Sequence, residues 1–131
     1  PHFVLSKIVE ALNVQRKAVN GSRLLILGVA YKKDIGDVRE SPALDVIKLL
    51  QDRGAEVVYN DPYVEEITLD HGVLRSSALS DDLLATSDCT IIITDHSSYD
   101  YARVVEKARS VVDTRNATRD VKAGRKKITK I

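Results

Sequence analysis

Four short apolar runs limit what this chain can fold into: RLLILG (residues 23–28), AEVVYND (55–61), CTIIIT (89–94) and SVVDT (110–114). Their lengths and β-branched content suit strands buried on both faces, as in a parallel sheet. Helical patterns separate them. Ser41-Pro42 opens one, because the Ser hydroxyl can accept from an orphan N–H and Pro loses no donor at the first helical position. Ala43, Leu44, Val46, Ile47, Leu49 and Leu50 continue that helix, and Gly54 ends it. SDDLLATS gives a shorter helix capped by Ser80, and Ser98 is expected to cap another through Ala108. Hairpins cannot close connections of this length. Crossovers can, so the expected fold is α/β: a Rossmann-like, doubly wound parallel sheet in three layers.

An N-terminal helix precedes the first strand. Phe3, Val4, Ile8, Ala11, Leu12 and Val19 recur at near-helical spacing, which predicts a helix over about residues 2–18, stopped by Asn20-Gly21. Lys7 and Glu10 interrupt its apolar face, so it does not read as a signal peptide. The irregular residues 63–80 are expected to hold one short strand near HGVLR. Residues 119–131 carry five basic residues after Asp120 and little apolar pattern, which suits a solvated tail.

With 131 residues, 44% hydrophobic and 30% charged, the chain suits one packed domain. Its net charge of +1 supplies no general attraction to nucleic acid or an acidic membrane, so anion affinity must be local. The lone Cys89 excludes an internal disulfide and fits a reducing cytoplasm. No apolar run reaches the roughly 20 residues of a membrane span. The chain opens on Pro1 and contains no Met. Initiator removal and origin within a longer protein both remain open.

Ligands of open parallel sheets sit beyond the strand carboxyl ends, where helix N-termini aim free N–H groups. Polar residues gather at those positions here: Tyr31, Lys32, Lys33, Asp34 and Arg39; Asn60 and Asp61; Asp95, His96 and Ser97; Arg115 and Asn116. The loop GVAYKKDIGDVRESP (28–42) lacks the G-x-G-x-x-G spacing of a dinucleotide site. It offers two lysines and an arginine, whose point charge and planar fork both suit phosphate. Alternatively, Lys32, Lys33 and Arg39 only neutralise Asp34, Asp37 and Glu40. On local charge the two readings stand level.

The segments LGVAYKKDIGDVRESPALDVIKLL, GAEVVYNDPYV, TDHSSYDY and VVDTRNA resemble, in order and spacing, the C-terminal nucleotide-sugar-binding domain of the UDP-glucose/GDP-mannose dehydrogenase family. The wording is nearest the branch acting on UDP-N-acetylhexosamines. The resemblance implies an oxidoreductase that takes the C6 alcohol of a UDP-sugar to a carboxylate in two NAD-dependent steps, through a thioester on a Cys absent from this chain. NAD would be held mainly by an N-terminal domain of the same protein, and the full protein would be a homodimer making polysaccharide precursors. It further implies that residues 1–20 end the central dimerisation helix, that 21–118 bind the nucleotide sugar and that 119–131 form a basic tail. Tyr31, Lys32 and Arg115 would contact the substrate, and Arg39 the NAD pyrophosphate. A different reading of the same pattern is a self-standing nucleotide- or CoA-binding regulatory module without catalysis, and a third is a domain whose rim charges are merely paired off.

Other candidates read as structural. Cys89 starts a strand, away from the carboxyl edge, and suits the core. His96 is expected to orient its neighbours, with Lys33 and Asp95 as further rim residues. His71 has no second ligand at metal spacing, and no metal site is expected. Asp61-Pro62 reads as a turn rather than a ribose-binding acid. Tyr99 and Tyr101, two apart on a helix, are not expected to pack inward together.

Overall fold

The computed structural model describes residues 2–131; Pro1, where the expected N-terminal segment begins, lies outside the described residues. In chain order the elements are α1 (His2–Val14), β1 (Arg23–Leu27), α2 (Pro42–Asp52), β2 (Glu56–Asn60), β3 (Glu66–Leu69), β4 (Gly72–Arg75), α3 (Asp81–Thr86), β5 (Cys89–Ile92), α4 (Tyr101–Lys107), β6 (Val111–Asp113) and β7 (Ile128–Lys130). Five strands pair in parallel in the order β2-β1-β5-β6-β7. The chain moves one way from β1 to β2, then returns past β1 to β5 and β6. The expected doubly wound α/β sheet is what forms.

Alternation along the strands divides the core into two layers. Leu24 and Ile26 of β1 face one side with Ile8 and Leu12 of α1 and Ile47 and Leu50 of α2. Leu25 and Leu27 face the other side with Leu83 and Leu84 of α3 and Val104 and Val105 of α4. Helices on opposite faces for opposite directions of travel keep one crossover hand. Each fully buried Leu or Ile contributes about 1.5–3 kcal/mol, so β1, apolar on both faces, ties the two layers together.

The expected caps form at Ser41, whose hydroxyl accepts from Ala43 N–H, and at Ser80, which accepts from Leu83 N–H. Several boundaries differ from expectation. α1 stops at Val14 because Arg16 adopts a left-handed backbone, with Arg16 N–H donating to Asn13 and Lys17 N–H to Leu12. That is a Schellman stop with a non-Gly residue, held by Gln15 donating to the Asp88 carbonyl and by the Lys17–Asp88 pair. Asp100, not Ser98, caps α4 by accepting from Arg103 N–H.

Residues 63–80 hold two strands instead of one. β3 and β4 form an antiparallel hairpin in which Glu66 faces Arg75. The basic segment is not simply solvated either. β7 extends the sheet beside β6, with Ile128 opposite Val111. Lys127 makes this possible by donating its ammonium to the Val105, Glu106 and Ala108 carbonyls at the end of α4, where the dipole favours a cation.

Cys89 is fully buried, as its place at the head of β5 suggested, and burial pushes its thiol up to about 11. Iodoacetamide is therefore expected to leave Cys89 unlabelled in the folded chain and to label it once denaturant unfolds the core. Prompt labelling without denaturant would contradict this packing.

Candidate ligand-binding edge

The carboxyl ends of β1, β2, β5 and β6 lie along one edge, and each loop there is fastened by a buried carboxylate, imidazole or hydroxyl. Beyond β1 the chain enters Val29 and Ala30, both fully buried, before it surfaces at Tyr31. Asp61 Oδ2 accepts from the N–H groups of Val29 at 2.8 Å and Ala30 at 3.2 Å. The Ala30 carbonyl accepts from the Thr94 and Ser41 hydroxyls, which ties the loop to β5 and to the start of α2. Tyr31 N–H then donates to the Asp37 carbonyl at 2.6 Å, closing residues 31–37 into a compact turn. Gly36 fits beneath it because a Cβ there would lie 2.7 Å from the Tyr63 carbonyl oxygen.

Tyr31, Lys32 and Lys33 are exposed on this turn. Among the described residues neither lysine has a carboxylate within ion-pair distance, whereas Arg39 does. Arg39 Nε and Nη2 donate to the two Asp37 oxygens at 3.0 and 2.8 Å, which with the Arg39 N–H holds the Asp37 carboxyl at about 2. Direct pairing thus describes Arg39 but neither lysine, although Lys33 helps at longer range to hold the Asp34 carboxyl below its usual range, chiefly the work of Ser97. Lys33 borders a small cleft of about 190 Å³ with Asp95, Ser97, Arg119 and Asp120.

Arg115 lies elsewhere on the edge. Its Nε donates to the Ile93 carbonyl at 2.9 Å, and it lines a shallow depression of about 260 Å³ with Val4, Pro42 and Val46. It therefore stands by the start of α2, on the α1 and α2 side, while Lys33 and Asp95 meet on the α4 side.

Asp113 shapes the Arg115 loop. Fully buried, it accepts from the N–H groups of Arg115, Ala117 and Thr118 at 2.9–3.0 Å and from the Thr118 hydroxyl at 2.6 Å. Burial raises its carboxyl pKa, but these donors outweigh burial and leave it below the usual range. Sequence reasoning passed over Asp113. The available signal was an acid at a strand end with a Thr five residues on.

Three expectations need correction. His96 does not reach the rim; it is fully buried beneath it, with Nε2 2.9 Å from Asp61 Oδ2 and Nδ1 2.8 Å from Asp34 N. Asp61 does make a turn, accepting from Tyr63 N–H through Oδ1, but its second oxygen organises three loops. Tyr99 and Tyr101 do pack inward together. Tyr99 precedes α4 and donates to Asn60, while Tyr101 opens α4 and donates to the His96 carbonyl, the rings meeting edge-on at 5.9 Å. Helical spacing failed because only one of the two is helical. Burial raises both phenol pKa values.

Residues 25–120 match the UDP-binding domain of the UDP-glucose/GDP-mannose dehydrogenase family. The chain belongs to this family. The UDP-N-acetyl-D-mannosamine dehydrogenase of Methanococcus maripaludis (strain C7) is 29% identical over 124 residues, which cover 88% of this chain and 27% of the relative. Among solved structures, a UDP-glucose dehydrogenase from Pyrobaculum islandicum superposes with a TM-score of 0.70 at 27% identity, covering 98% of this chain and 28% of that one. The native UDP-N-acetyl-mannosamine dehydrogenase of Staphylococcus aureus gives 0.62 at 28% identity, covering 86% and 27%. The chain thus spans about a quarter of the length of the family members it matches.

Proposed function

We propose that this chain is the UDP-sugar-binding domain of an NAD-dependent UDP-sugar 6-dehydrogenase, with a UDP-N-acetylhexosamine as the substrate class. The observation that carries the reading is the pair of exposed, unpaired lysines on the carboxyl edge of a domain of this family. Lys32 supplies a point charge to the diphosphate and Tyr31 a flat apolar surface beside it. Arg115, by the capped start of α2, adds a guanidinium that spends only its Nε on the Ile93 carbonyl among the hydrogen bonds of the described residues. The sugar's C6 chemistry belongs to parts of the protein beyond this chain, including the thiol nucleophile, since Cys89 is buried in the core.

NAD would supply the hydride acceptor for oxidation at the sugar C6. The residues here fit only a peripheral contact with it. The loop after β1 has no dinucleotide fingerprint, and Arg39 is exposed with Asp37 holding its fork. Arg39 would reach the pyrophosphate by exchanging the Asp37 carboxylate for a phosphate, while a separate N-terminal domain binds most of the cofactor. Within this reading residues 1–20 are the end of a central helix that joins two copies into a dimer, and the protein works in the cytoplasm. Among the described residues no helix is long and apolar enough to cross a membrane.

Titration of the chain with UDP at low salt tests the proposal. Lys32→Ala and Arg115→Ala are each expected to weaken UDP about tenfold, equivalent to ~1.4 kcal/mol, without moving the melting temperature. CoA in excess should not displace UDP; displacement would favour a regulatory CoA-binding module. Unchanged UDP affinity in both variants would overturn the proposed role of this edge.

A further inference from the structure

Resting on the reading above, we infer that His96 is a positioning residue for the lysine-bearing turn, accepting from it through a neutral imidazole whose tautomer Asp61 selects. His96 is fully buried, its ring flanked by Tyr63 at 4.9 Å and Tyr99 at 5.8 Å, so water satisfies neither nitrogen. Nδ1 faces the backbone N–H of Asp34 at 2.8 Å, which can only donate. Nε2 faces a carboxylate oxygen of Asp61 at 2.9 Å, which as an ionised group can only accept. Both bonds exist together in a single form: a lone pair on Nδ1 and a proton on Nε2. The neighbours select the tautomer, and neutrality follows from it.

Asp61, after β2, also accepts from Val29 and Ala30 after β1, so one of its oxygens gathers donors from the end of β1 and from His96 after β5. Beyond His96 the chain of bonds reaches Asp34, the residue directly following Lys32 and Lys33. Asp34 has φ +64°, in the left-handed region that Asp tolerates better than most non-Gly residues but that still gains from being held. Its surroundings hold it from two sides. Nδ1 of His96 takes its N–H, and its carboxylate accepts from Ser97 N–H at 2.8 Å and from the Ser97 hydroxyl at 2.6 Å. The turn that presents both lysines is thus anchored at one end by Asp61 and at the other by His96 and Ser97. Long cationic side chains otherwise sample many rotamers, and a fixed backbone beneath them reduces the ordering cost of closing on a diphosphate.

Two substitutions separate positioning from space filling. The Asn amide oxygen can occupy the place of Nδ1 and accept from Asp34 N–H; the Gln amide nitrogen can occupy the place of Nε2 and donate to Asp61. On the 131-residue chain, His96→Asn is expected to keep Asp34 amide exchange and UDP affinity within about threefold of the parent. His96→Gln, although closer in volume, is expected to accelerate Asp34 exchange and weaken UDP by about tenfold. A pure packing role predicts the reverse order, with the smaller Asn worse, and that order overturns the inference. Equal exchange at Asp34 in all three proteins overturns it as well. Should a variant fail to fold, the imidazole nitrogen resonances of the parent decide. A protonated Nε2 with an unprotonated Nδ1 coupled to the Asp34 amide supports the inference, and a protonated Nδ1 refutes it. Lys32→Ala in the same titration keeps the two readings apart. If it and Arg115→Ala both leave UDP affinity unchanged, the binding proposal fails while Asp34 exchange still judges the role of His96.

Discussion

Replacing Gly28 by alanine is expected to cost this domain at least about 3 kcal/mol, from backbone strain added to a clash that cannot relax. Gly28 closes β1 at φ +83°, a left-handed conformation that an L side chain resists. A Cβ there would also lie 2.4 Å from both the Cβ and the carbonyl oxygen of Thr94 and 2.9 Å from its Cα. These are not flexible side-chain ends. Thr94 follows β5, its N–H donates to Leu27 and its hydroxyl to Ala30, so it cannot retreat without opening the pairing of the two central strands. The melting temperature should fall by about 10 °C or more, and UDP binding should weaken with it because Lys32 hangs from the same segment. A variant melting within about 2 °C of the parent would show that the close approach is not obligatory.

Asp113→Ala is expected to destabilise the chain by about 3 kcal/mol at neutral pH, because it leaves buried N–H groups without an acceptor. The linked pH dependence has a definite sign. Asp113 has a carboxyl pKa below its ordinary 3.8 in the folded chain, despite burial, because Thr118, Ala117 and Arg115 donate to it. The unfolded chain therefore binds protons first as pH falls. The stabilisation is complete above the ordinary value and is lost progressively below it, through the folded value. Asp88 contributes with the same sign: burial opposes its ionisation, but Lys17, Arg23 N–H and Arg109 prevail. Urea unfolding at pH 7 and pH 3 should show a marked loss of parental stability at the lower pH and a smaller loss in Asp113→Asn, whose amide does not titrate. Equal losses in both proteins would mean that Asp113 is not the group responsible.

Both effects bear on the candidate site, because the residues that shape the edge are chiefly buried ones. Asp113 sets the loop of Arg115, and Asp61 with His96 sets the turn of Lys32 and Lys33. Lys32 and Lys33 are exposed, and the guanidiniums of Arg39 and Arg115 lean on Asp37 and on the Ile93 carbonyl without supporting the core. Their substitution should change ligand affinity and leave stability nearly untouched, whereas substitutions beneath them should change both.

Periodicity was sufficient for the architecture. RLLILG and CTIIIT are too apolar to face water on either side and too far apart to pair through a hairpin, so a parallel sheet with crossovers is legible in the sequence itself. Capping chemistry placed the starts of α2 and α3 at Ser41 and Ser80 for the same local reason. The wording of the loop after β1 and of the segments that follow was specific enough to identify the family, since order and spacing survive where overall identity is low.

What the chain's own pattern could not determine was anything that depends on a partner distant in sequence. Arg16 ends α1 early because Asp88 draws Gln15 and Lys17 toward it. The basic segment joins the sheet because Lys127 finds the carbonyl end of α4. Asp61 and His96, separated by 35 residues, become one hydrogen-bonded pair only when β2 and β5 bring their ends to the same edge. Local sequence determines which backbone conformations are cheap and which faces are apolar; only the assembled sheet decides which buried donor meets which acceptor, because those bonds join residues that the chain itself holds far apart.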